Sequence, residues 1–400
     1  MNILFLTPQL PWPPDRGTAL RNWGLLRELA ARHRVALLSF TEAVTDAVPD
    51  PLREVTRGRV ETVPAPQRSL AVRLRDMLLR QRPDMALRLA DPAFAARLHA
   101  WLAREDFDVV QIEGIELAPY LDDILAARGR AARPLAVFDD HNAEWVLQQR
   151  AFATDVRRPQ RAHAALYSLV QWRRLRRYEA SVCRRSDRVV AVSATDAAAL
   201  RSLDPQLNVH VVPNGIDVAH YAPSLAPAAI PFDLLFTGKM DFRPNIDAML
   251  WCAAEIWPRV RAAYPQATLG IVGQKPNARL DPLREQPGIT LTGYVPDIRP
   301  YLAGAQVYIA PLRMGGGTRF KLLEAMAMER AIVSTRVGAE GLDAGAGILR
   351  IADEPAAFAA EAVGLLRDRA ACAALGSRAR AHVAAHFDWS ALVPRLEAIY

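Results

Sequence analysis

Cysteine is scarce in this sequence. Cys183, Cys252 and Cys372 are the three cysteines among 400 residues, and they lie far apart. An odd number at such spacings predicts neither a disulfide framework nor a zinc site. The pattern favours a reducing environment, so we expect a cytoplasmic protein.

Long apolar runs are missing as well. No stretch approaches the roughly 20 apolar residues that a membrane-spanning helix needs. The opening MNILFLTPQLPWPP has neither the basic start nor the small-residue cleavage site of a signal peptide. We therefore predict that Asn2 to Thr7 form a first core strand.

Two common phosphate-binding signatures are also missing. The order GxxxxGK[ST] is not met, and no GxGxxG follows the first predicted strand, which disfavours P-loop NTPases and dinucleotide-dependent enzymes. The sequence has no acidic DxD-like motif in a metal-binding context, and FDDHN, which contains His141, comes nearest. We therefore expect no metal ion and no other cofactor.

Lysine does not occur in the first half of the chain, where every basic residue is arginine. Roughly +6 of the formal net charge of +7 lies there. Two stretches, Arg68–Arg88 and Arg157–Arg188, carry most of it. Apolar residues alternate with arginine in the first stretch, so a solvated helix face and an anionic membrane surface both explain the charge. No motif that reads DNA or RNA accompanies it, so no nucleic-acid partner is predicted.

Short apolar runs that alternate with helix-length segments dominate what the sequence does contain. The runs are NILFLT, RVALLSF, VVQIEG, LAVFDD, RVVAVS and VHVVPN, then DLLFTG, ATLGIVG, ITLTGY, VYIAPL, AIVSTR and GILRIA. This is the pattern of parallel sheets with crossover helices. We predict an α/β protein with two facing, doubly wound, Rossmann-like domains at residues 1–215 and 231–385. The predicted linker is 216–230, and a helix at 386–400 is available to cross back to the first domain.

A glycine-rich loop precedes the helix predicted at Thr318 to Met328. Loop and helix together supply Gly315, Gly316, Gly317, Thr318, Arg319, Lys321 and Glu324. Glycines permit close approach of the backbone, and free N–H groups at a helix N-terminus favour an anion. Arg319 and Lys321 in the first turn would oppose the helix dipole unless an anion is bound, which predicts a phosphate site. A glycine-rich turn before a solvated basic face is the alternative.

The run GGGTRFKLLEAMAMERAIVSTRVGAEGL resembles the signature of retaining GT-B glycosyltransferases of the large GT4-type group. Four further segments agree in order and spacing: Val189–Ser193, Val211–Asp217, Leu234–Trp251 and Leu291–Leu312. The resemblance covers nearly the whole chain and is closest to bacterial exopolysaccharide sugar transferases, including the exosortase (PEP-CTERM) associated type. It implies a GT-B fold and transfer, with retention, from a UDP- or GDP-sugar to a glycan or lipid-linked acceptor at the inner membrane face.

The resemblance also implies roles for residues of the C-terminal domain. Glu324 would bind the ribose hydroxyls, although a plain helix salt bridge with Lys321 is the alternative. The cations Arg319, Lys321 and Lys239 would neutralise the diphosphate. Val295 and Asp297 would lie beside the base.

Two residues of the N-terminal domain are implied in the same way. Gly17, in PPDRGTALRN, falls where the family's glycine loop meets the donor phosphate or the acceptor, and an ordinary tight turn is its alternative. His141 would face the donor sugar, with a neighbouring carboxylate that orients its ring and sets its proton.

The sequence departs from the family pattern at two positions. The first glutamate of the family's pair would stand at Gly316, eight residues before Glu324, and its second basic residue would stand at Asn245. Backbone N–H groups of the glycine loop and the two cations of the helix would replace them. No carboxylate nucleophile can be nominated, which favours a front-face route in which the leaving phosphate helps to deprotonate the acceptor. A nucleotide-sugar epimerase and a non-catalytic GT-B scaffold stay open as other functions.

Overall fold

The computed structural model describes residues 1–42, 48–127, 134–156, 162–224, 231–314, 319–342 and 347–400. They form two compact units. The first unit comprises Met1–Pro213 together with Leu392–Tyr400, and the second comprises Asn214–Ala391. Among the described residues, no helix is both long and apolar enough to cross a bilayer.

The first unit is built on one parallel sheet. Its strands are β1 (Asn2–Thr7), β2 (Arg34–Thr41), β3 (Val60–Pro64), β4 (Val109–Glu113), β5 (Leu135–Asp140), β6 (Arg188–Ala191) and β7 (Val209–Val211). Its helices are α1 (Gly17–Ala30), α2 (Asp50–Val55), α3 (Leu70–Leu79), α4 (Asp84–Arg88), α5 (Pro92–Arg104), α6 (Leu121–Ala126), α7 (Glu144–Asp155), α8 (Ala162–Arg185) and α9 (Ala194–Arg201). The strands lie in the order β3-β2-β1-β4-β5-β6-β7.

Apolar side chains explain why these segments form the centre of a sheet. Ile3, Leu4, Phe5 and Leu6 of β1 are fully buried, as expected for a central parallel strand covered on both faces. β3 was missed in the sequence because VETVP has few apolar residues and ends in proline. Such a strand belongs at the edge of a sheet, which is where β3 lies.

The second unit repeats this architecture. Its strands are β8 (Leu234–Thr237), β9 (Leu269–Val272), β10 (Ile289–Gly293), β11 (Val307–Ala310), β12 (Ala331–Ser334) and β13 (Arg350–Ile351). Its helices are α10 (Arg243–Trp251), α11 (Trp257–Ala263), α12 (Arg299–Gly304), α13 (Phe320–Ala327), α14 (Pro355–Arg367) and α15 (Arg369–His386), and α16 (Trp389–Glu397) follows across the boundary between the units. The strand order is β10-β9-β8-β11-β12-β13, all parallel. Two doubly wound α/β units are therefore confirmed.

The helix predicted at Asn245 to Tyr264 is interrupted. It begins at Arg243 and passes through a π-helical turn at Cys252–Ile256 before α11. Pro258 lacks an N–H group and cannot continue the regular hydrogen-bond ladder, so the wider turn accommodates it. Residues 216–224 of the predicted linker include Ile216 and Val218, which are buried in the core of the second unit.

Candidate active site

Each sheet reverses its strand order at one point, between β1 and β4 in the first unit and between β8 and β11 in the second. Ligands of open parallel sheets bind beyond the carboxyl ends of the strands at such points. The site residues that the sequence predicts divide into two sets, one in each unit. Gly315, Gly316, Gly317 and Thr318 lie outside the described residues.

The helix after β11 carries the predicted nucleotide-binding residues of the second unit. It begins at Phe320 rather than Thr318, so Arg319 is the capping residue and does not belong to the first turn as predicted. Lys321 does lie in the first turn, and Glu324 follows one turn later. Burial lowers the pKa of Arg319, while the charge of Glu340 raises it.

Lys321 is held at the carboxyl end of β8. Its Nζ donates to Asn245 Oδ1 at 2.8 Å and lies 4.2 Å from the ring centroid of the buried Phe236. Burial lowers the pKa of Lys321 to about 7, although the charge of Glu324 opposes the shift. An anion beside this amine would stabilise its charged form.

Asn245 joins this lysine to the loop that follows β8. Its Nδ2 donates to the backbone oxygen of Lys239 at 2.8 Å, and the Lys239 side chain is exposed. Gly238, in the same loop, has φ +153°. A Cβ at this position would come within 2.8 Å of Lys321 Nζ. The residue that departs from the family's basic position therefore orients the amine that supplies the charge.

Glu324 has a partner that the sequence does not reveal. The hydroxyl of Tyr221 donates to Glu324 Oε1 at 3.0 Å. Burial raises the pKa of Glu324, while the hydrogen bond from Tyr221 and the charge of Lys321 lower it. Tyr221 precedes Glu324 by more than 100 residues in a segment predicted as linker, so no local pattern could pair them.

The loop after β10 contains the two residues predicted to lie beside the base. The Asp297 carboxylate accepts from Arg299 Nη2 at 2.7 Å and from the Arg299 backbone N–H at 2.9 Å. These bonds with Arg299 lower the pKa of Asp297. Val295 is half-buried against the apolar core of the second unit. The carboxylate of Asp297 thus fixes the loop, and contact of either residue with a base stays a prediction.

In the first unit, His141 follows β5 and contacts a buried carboxylate. Its Nε2 lies 2.7 Å from Glu113 Oε2, with Glu113 fully buried. Burial lowers the pKa of His141, but the hydrogen bond and charge of Glu113 outweigh it, so the pKa is raised. Asn22 also donates to Glu113 Oε2 at 2.8 Å once its amide is oriented to satisfy its hydrogen bonds. The contact with Glu113 therefore favours the charged form of the His141 ring.

A buried ion pair lies beside this contact. Arg21 Nη2 donates to Asp139 Oδ2 at 2.7 Å, and the two side chains are at most 1% exposed. Gln111 links the two pairs because its Nε2 donates to Glu113 Oε1 at 3.0 Å and to Asp139 Oδ2 at 3.5 Å. Tyr400 donates to Gln111 Oε1 at 3.1 Å. The residues that hold His141 thus come from β4, β5, α1 and the end of the chain.

Glu113, Asp139 and His141 also satisfy the spacing of a metal site, since one possible ligand atom of each lies within 4.8 Å of the others. His141 Nε2 and Glu113 Oε2 already form a hydrogen bond with one another. Arg21 binds Asp139 and would repel a divalent cation. The arrangement therefore fits a charge network better than a metal centre.

Gly17 is the first residue of α1 and is exposed, and its neighbour Thr18 lines a cavity of about 310 Å³ in the first unit. His141 lines the same cavity. The structure thus brings these two predicted positions to the same edge of the first sheet.

Profiles of two sequence families match the chain. The profile described as "Glycosyltransferase Family 4" matches residues 16–220, and that described as "Glycosyl transferases group 1" matches residues 231–368. Among curated proteins, the chain is 31% identical over 202 residues to a phosphatidyl-myo-inositol mannosyltransferase of Mycolicibacterium smegmatis. That match covers 47% of this chain and 50% of the relative, so the chain spans about half the length of this curated relative.

Solved structures resemble the chain over its full length. Anabaena HepE, in complex with UDP and glucose, has a TM-score of 0.63 at 16% identity, with 100% of this chain and 98% of that chain covered. Sucrose-phosphate synthase from Thermosynechococcus elongatus has a TM-score of 0.69 at 17% identity, again with 100% and 98% covered. At these identities the likeness concerns the fold.

Proposed function

Because the chain belongs to glycosyltransferase family 4, we propose that it transfers a sugar from a nucleotide diphosphate to a hydroxyl of a glycan or lipid-linked acceptor. UDP or GDP is the leaving group. HepE, a structural neighbour, is seen with UDP and glucose, which supports a nucleotide-sugar donor. The sequence resemblance to exopolysaccharide transferases supports a role in the synthesis of a cell-surface polysaccharide.

The pairing of a buried amine with a buried carboxylate on one helix carries this proposal. Burial lowers the pKa of Lys321 to about 7, and its amine lies at the carboxyl end of β8, the edge at which open parallel sheets bind ligands. Glu324, one turn later, accepts hydrogen bonds from the ribose hydroxyls in this proposal, while the Tyr221 hydroxyl donates to its Oε1. A phosphate site next to a hydroxyl site is what a nucleotide diphosphate requires.

Nucleotide binding tests the site directly. We expect millimolar UDP or GDP to raise the melting temperature of the protein, and Lys321→Met and Glu324→Gln to abolish most of that shift. Arg259→Met, on the exposed face of α11, serves as the matched control. A wild-type protein that shows no shift with any nucleoside diphosphate would instead be a non-catalytic scaffold.

Charge stabilisation of the leaving group provides the mechanism. Cleavage of the anomeric C–O bond leaves negative charge on the β-phosphate, and Lys321 and Arg319 supply positive charge close to the helix N-terminus. The transfer retains the anomeric configuration, and the departing phosphate helps to deprotonate the acceptor hydroxyl. NMR of the first product tests this, since an inverted anomeric centre contradicts the route.

No metal ion is required, because cations of the protein take the place that a divalent metal would have. Donor hydrolysis by the purified protein is therefore expected to continue unchanged in excess EDTA. Loss of hydrolysis in EDTA, restored by Mg²⁺ or Mn²⁺, would overturn this part of the proposal.

The acceptor side of the enzyme binds an anionic membrane surface through α3. The arginines of α3 and of the residues on either side of it surround Asp76 and Asp84, and Leu79 at its end is 77% exposed. An exposed leucine flanked by arginine is suited to the interface of an anionic bilayer. Liposome flotation should show binding to anionic vesicles that Leu79→Asp weakens, whereas equal binding to neutral vesicles contradicts it.

A further inference from the structure

The first turn of α7 is capped by carboxylates from two other helices. Ala143 precedes the helix and has no side chain that could accept from it. Instead, Asp196 Oδ1 of α9 accepts from the Ala143 N–H at 3.2 Å. Glu179 of α8 accepts from the next two N–H groups at 2.9 Å, with Oε1 for Glu144 and Oε2 for Trp145. Both oxygens of Glu179 are thus acceptors at a helix N-terminus, where a negative charge is favoured.

A second buried carboxyl group contacts Glu179. Asp140 is the last residue of β5, is 1% exposed and shares a side-chain hydrogen bond with Glu179. As an ionised carboxylate, Asp140 would have no donor to either oxygen among the described residues. Two carboxylates have no proton to share, so the bond between these side chains requires that one of them is protonated. Because both Glu179 oxygens already accept from the backbone, the proton belongs to Asp140.

The groups that face this pair favour the same placement of the proton. Burial, then Glu179, Cys183 on α8 and Glu144 at the start of α7, raise the pKa of Asp140 well above the usual range. Burial raises the pKa of Glu179 to about 7, against the hydrogen bonds from Asp140 and from the α7 backbone, and the charge of Asp196 adds to the rise. Glu179 therefore loses its proton before Asp140 does.

We propose that Asp140 is a neutral acid in the folded protein, that it donates its proton to Glu179, and that the pair positions the start of α7 and the loop that carries His141. This loop begins at Asp140 and ends at the N–H groups that Asp196 and Glu179 hold, so the arrangement fixes both of its ends. Asp140 and Glu179 are positioning residues, since they act through His141. The consequence for sugar transfer rests on the proposed function, whereas the protonation of Asp140 does not.

The pH dependence of stability tests the protonation. A carboxyl group that keeps its proton in the folded protein, but loses it in the unfolded chain above the ordinary value of 3.8, lowers stability as pH rises. Asp140→Asn removes this loss and keeps a hydrogen-bond donor. From pH 5 to pH 8, the unfolding equilibrium constant of the variant relative to the wild type should fall by up to about tenfold per pH unit. Denaturant unfolding of the full-length protein measures this ratio.

Amide hydrogen exchange tests the positioning. Asp140→Ala removes the donor to Glu179, so protection of the Glu144 and Trp145 N–H groups should fall at least about tenfold, while Asp140→Asn should retain it. Donor hydrolysis should lose kcat rather than KM in Asp140→Ala, and Asp140→Asn should restore it. A wild-type protein without hydrolysis would count against the proposed function and leave the unfolding and exchange results readable.

Asp281→Asn, on the exposed surface of the second unit, is the matched control and should behave as the wild type in every measurement. If Asp140→Ala does not fold, the ratio for Asp140→Asn decides alone. A ratio that stays constant or rises from pH 5 to pH 8 would show that Asp140 is ionised and overturn the inference. Exchange of the two N–H groups that is the same in Asp140→Ala and in Asp140→Asn would overturn the positioning role.

Discussion

At the scale of single residues, we expect Lys321 to make nucleotide binding depend on pH. Its pKa is lowered to about 7 by burial, with Glu324 opposing the shift and Arg319 adding to it. A diphosphate binds the charged form, so we expect affinity for UDP to fall above pH 7, by at most about tenfold per pH unit. Calorimetry at pH 7 to 9 measures this, and Lys321→Met should show a flat profile.

The same pKa shift changes the stability of the free protein with pH in the direction opposite to the change in UDP affinity. Between about pH 7 and the ordinary lysine value of 10.5, the unfolded chain binds a proton that the folded protein has lost. Stability therefore rises with pH across this range as far as Lys321 is concerned. A free energy of unfolding that does not rise with pH in the wild type relative to Lys321→Met would contradict this statement.

Glu113 controls the protonation of His141. We expect Glu113→Gln to lower the pKa of His141, because burial then acts without the opposing charge. Loss of this buried contact should also reduce the free energy of unfolding, by up to about 3 kcal/mol. NMR titration of the His141 ring and denaturant unfolding measure the two effects. Glu61→Gln on the edge strand β3 is the control, and an unchanged His141 pKa in Glu113→Gln would refute this role.

Tyr221 positions the carboxylate proposed to bind ribose. Loss of its hydroxyl in Tyr221→Phe removes a hydrogen bond worth about 1 kcal/mol, so affinity for UDP should fall about fivefold. Affinity for a UDP analogue without ribose hydroxyls should not change. Tyr264→Phe, at the end of α11, is the control, and an equal loss for both nucleotides would argue against the assignment.

At the scale of elements, the turn after β8 must leave room for the first turn of α13. In Gly238→Ala the new Cβ would lie 2.7 Å from Asn245 Nδ2 and 2.8 Å from Lys321 Nζ, at a φ of +153°. We expect the displaced amine to weaken UDP binding at least tenfold. Gly347→Ala, at φ +63° with open space around its Cβ, carries backbone strain alone and should retain binding. Equal binding by both variants would show that the contact is unimportant.

The fold was predictable wherever apolar runs stand between turn residues. The apolar runs predicted for both units are strands, because buried parallel strands need continuous apolar sequence. β3 and the π-helical turn at Cys252–Ile256 were not predicted. The sequence of β3 is polar, as in an edge strand, and the π-helical turn depends on a single proline, Pro258. The two-unit architecture agrees with GT-B structures such as that of HepE.

The candidate site was predictable only where its residues are close in sequence. Lys321 and Glu324 lie on one helix and were predicted together. Glu113 and Tyr221 were missed because a buried glutamate in a strand and a tyrosine in a loop have no local signature. Their partners lie 28 and 103 residues away, so the pairing depends on the folded sheet.

At the scale of the whole molecule, the first unit is discontinuous in sequence. Its last segment, Leu392–Tyr400, buries Leu392, Val393 and Leu396 completely. Removal of 392–400 should destabilise the first unit by several kcal/mol, since each such side chain contributes about 1.5–3 kcal/mol. Calorimetry should show a lower transition for the first unit and an unchanged one for the second. Arg395→Ala, on the exposed side of α16, is the control, and an unchanged first transition after truncation would contradict this.

The discontinuity of the first unit also sets an order of events at the ribosome. Synthesis proceeds from the N-terminus at about 5–20 residues per second, and domains generally fold as they emerge. The second unit, Asn214–Ala391, is continuous and is synthesised in full before Leu392 is added. Until the segment 392–400 has been made, the apolar surface of the first unit that Leu392, Val393 and Leu396 cover therefore stays exposed. The bond from Tyr400 to Gln111, beside the His141 network, forms last. Chaperones that bind exposed apolar surface have that interval in which to act.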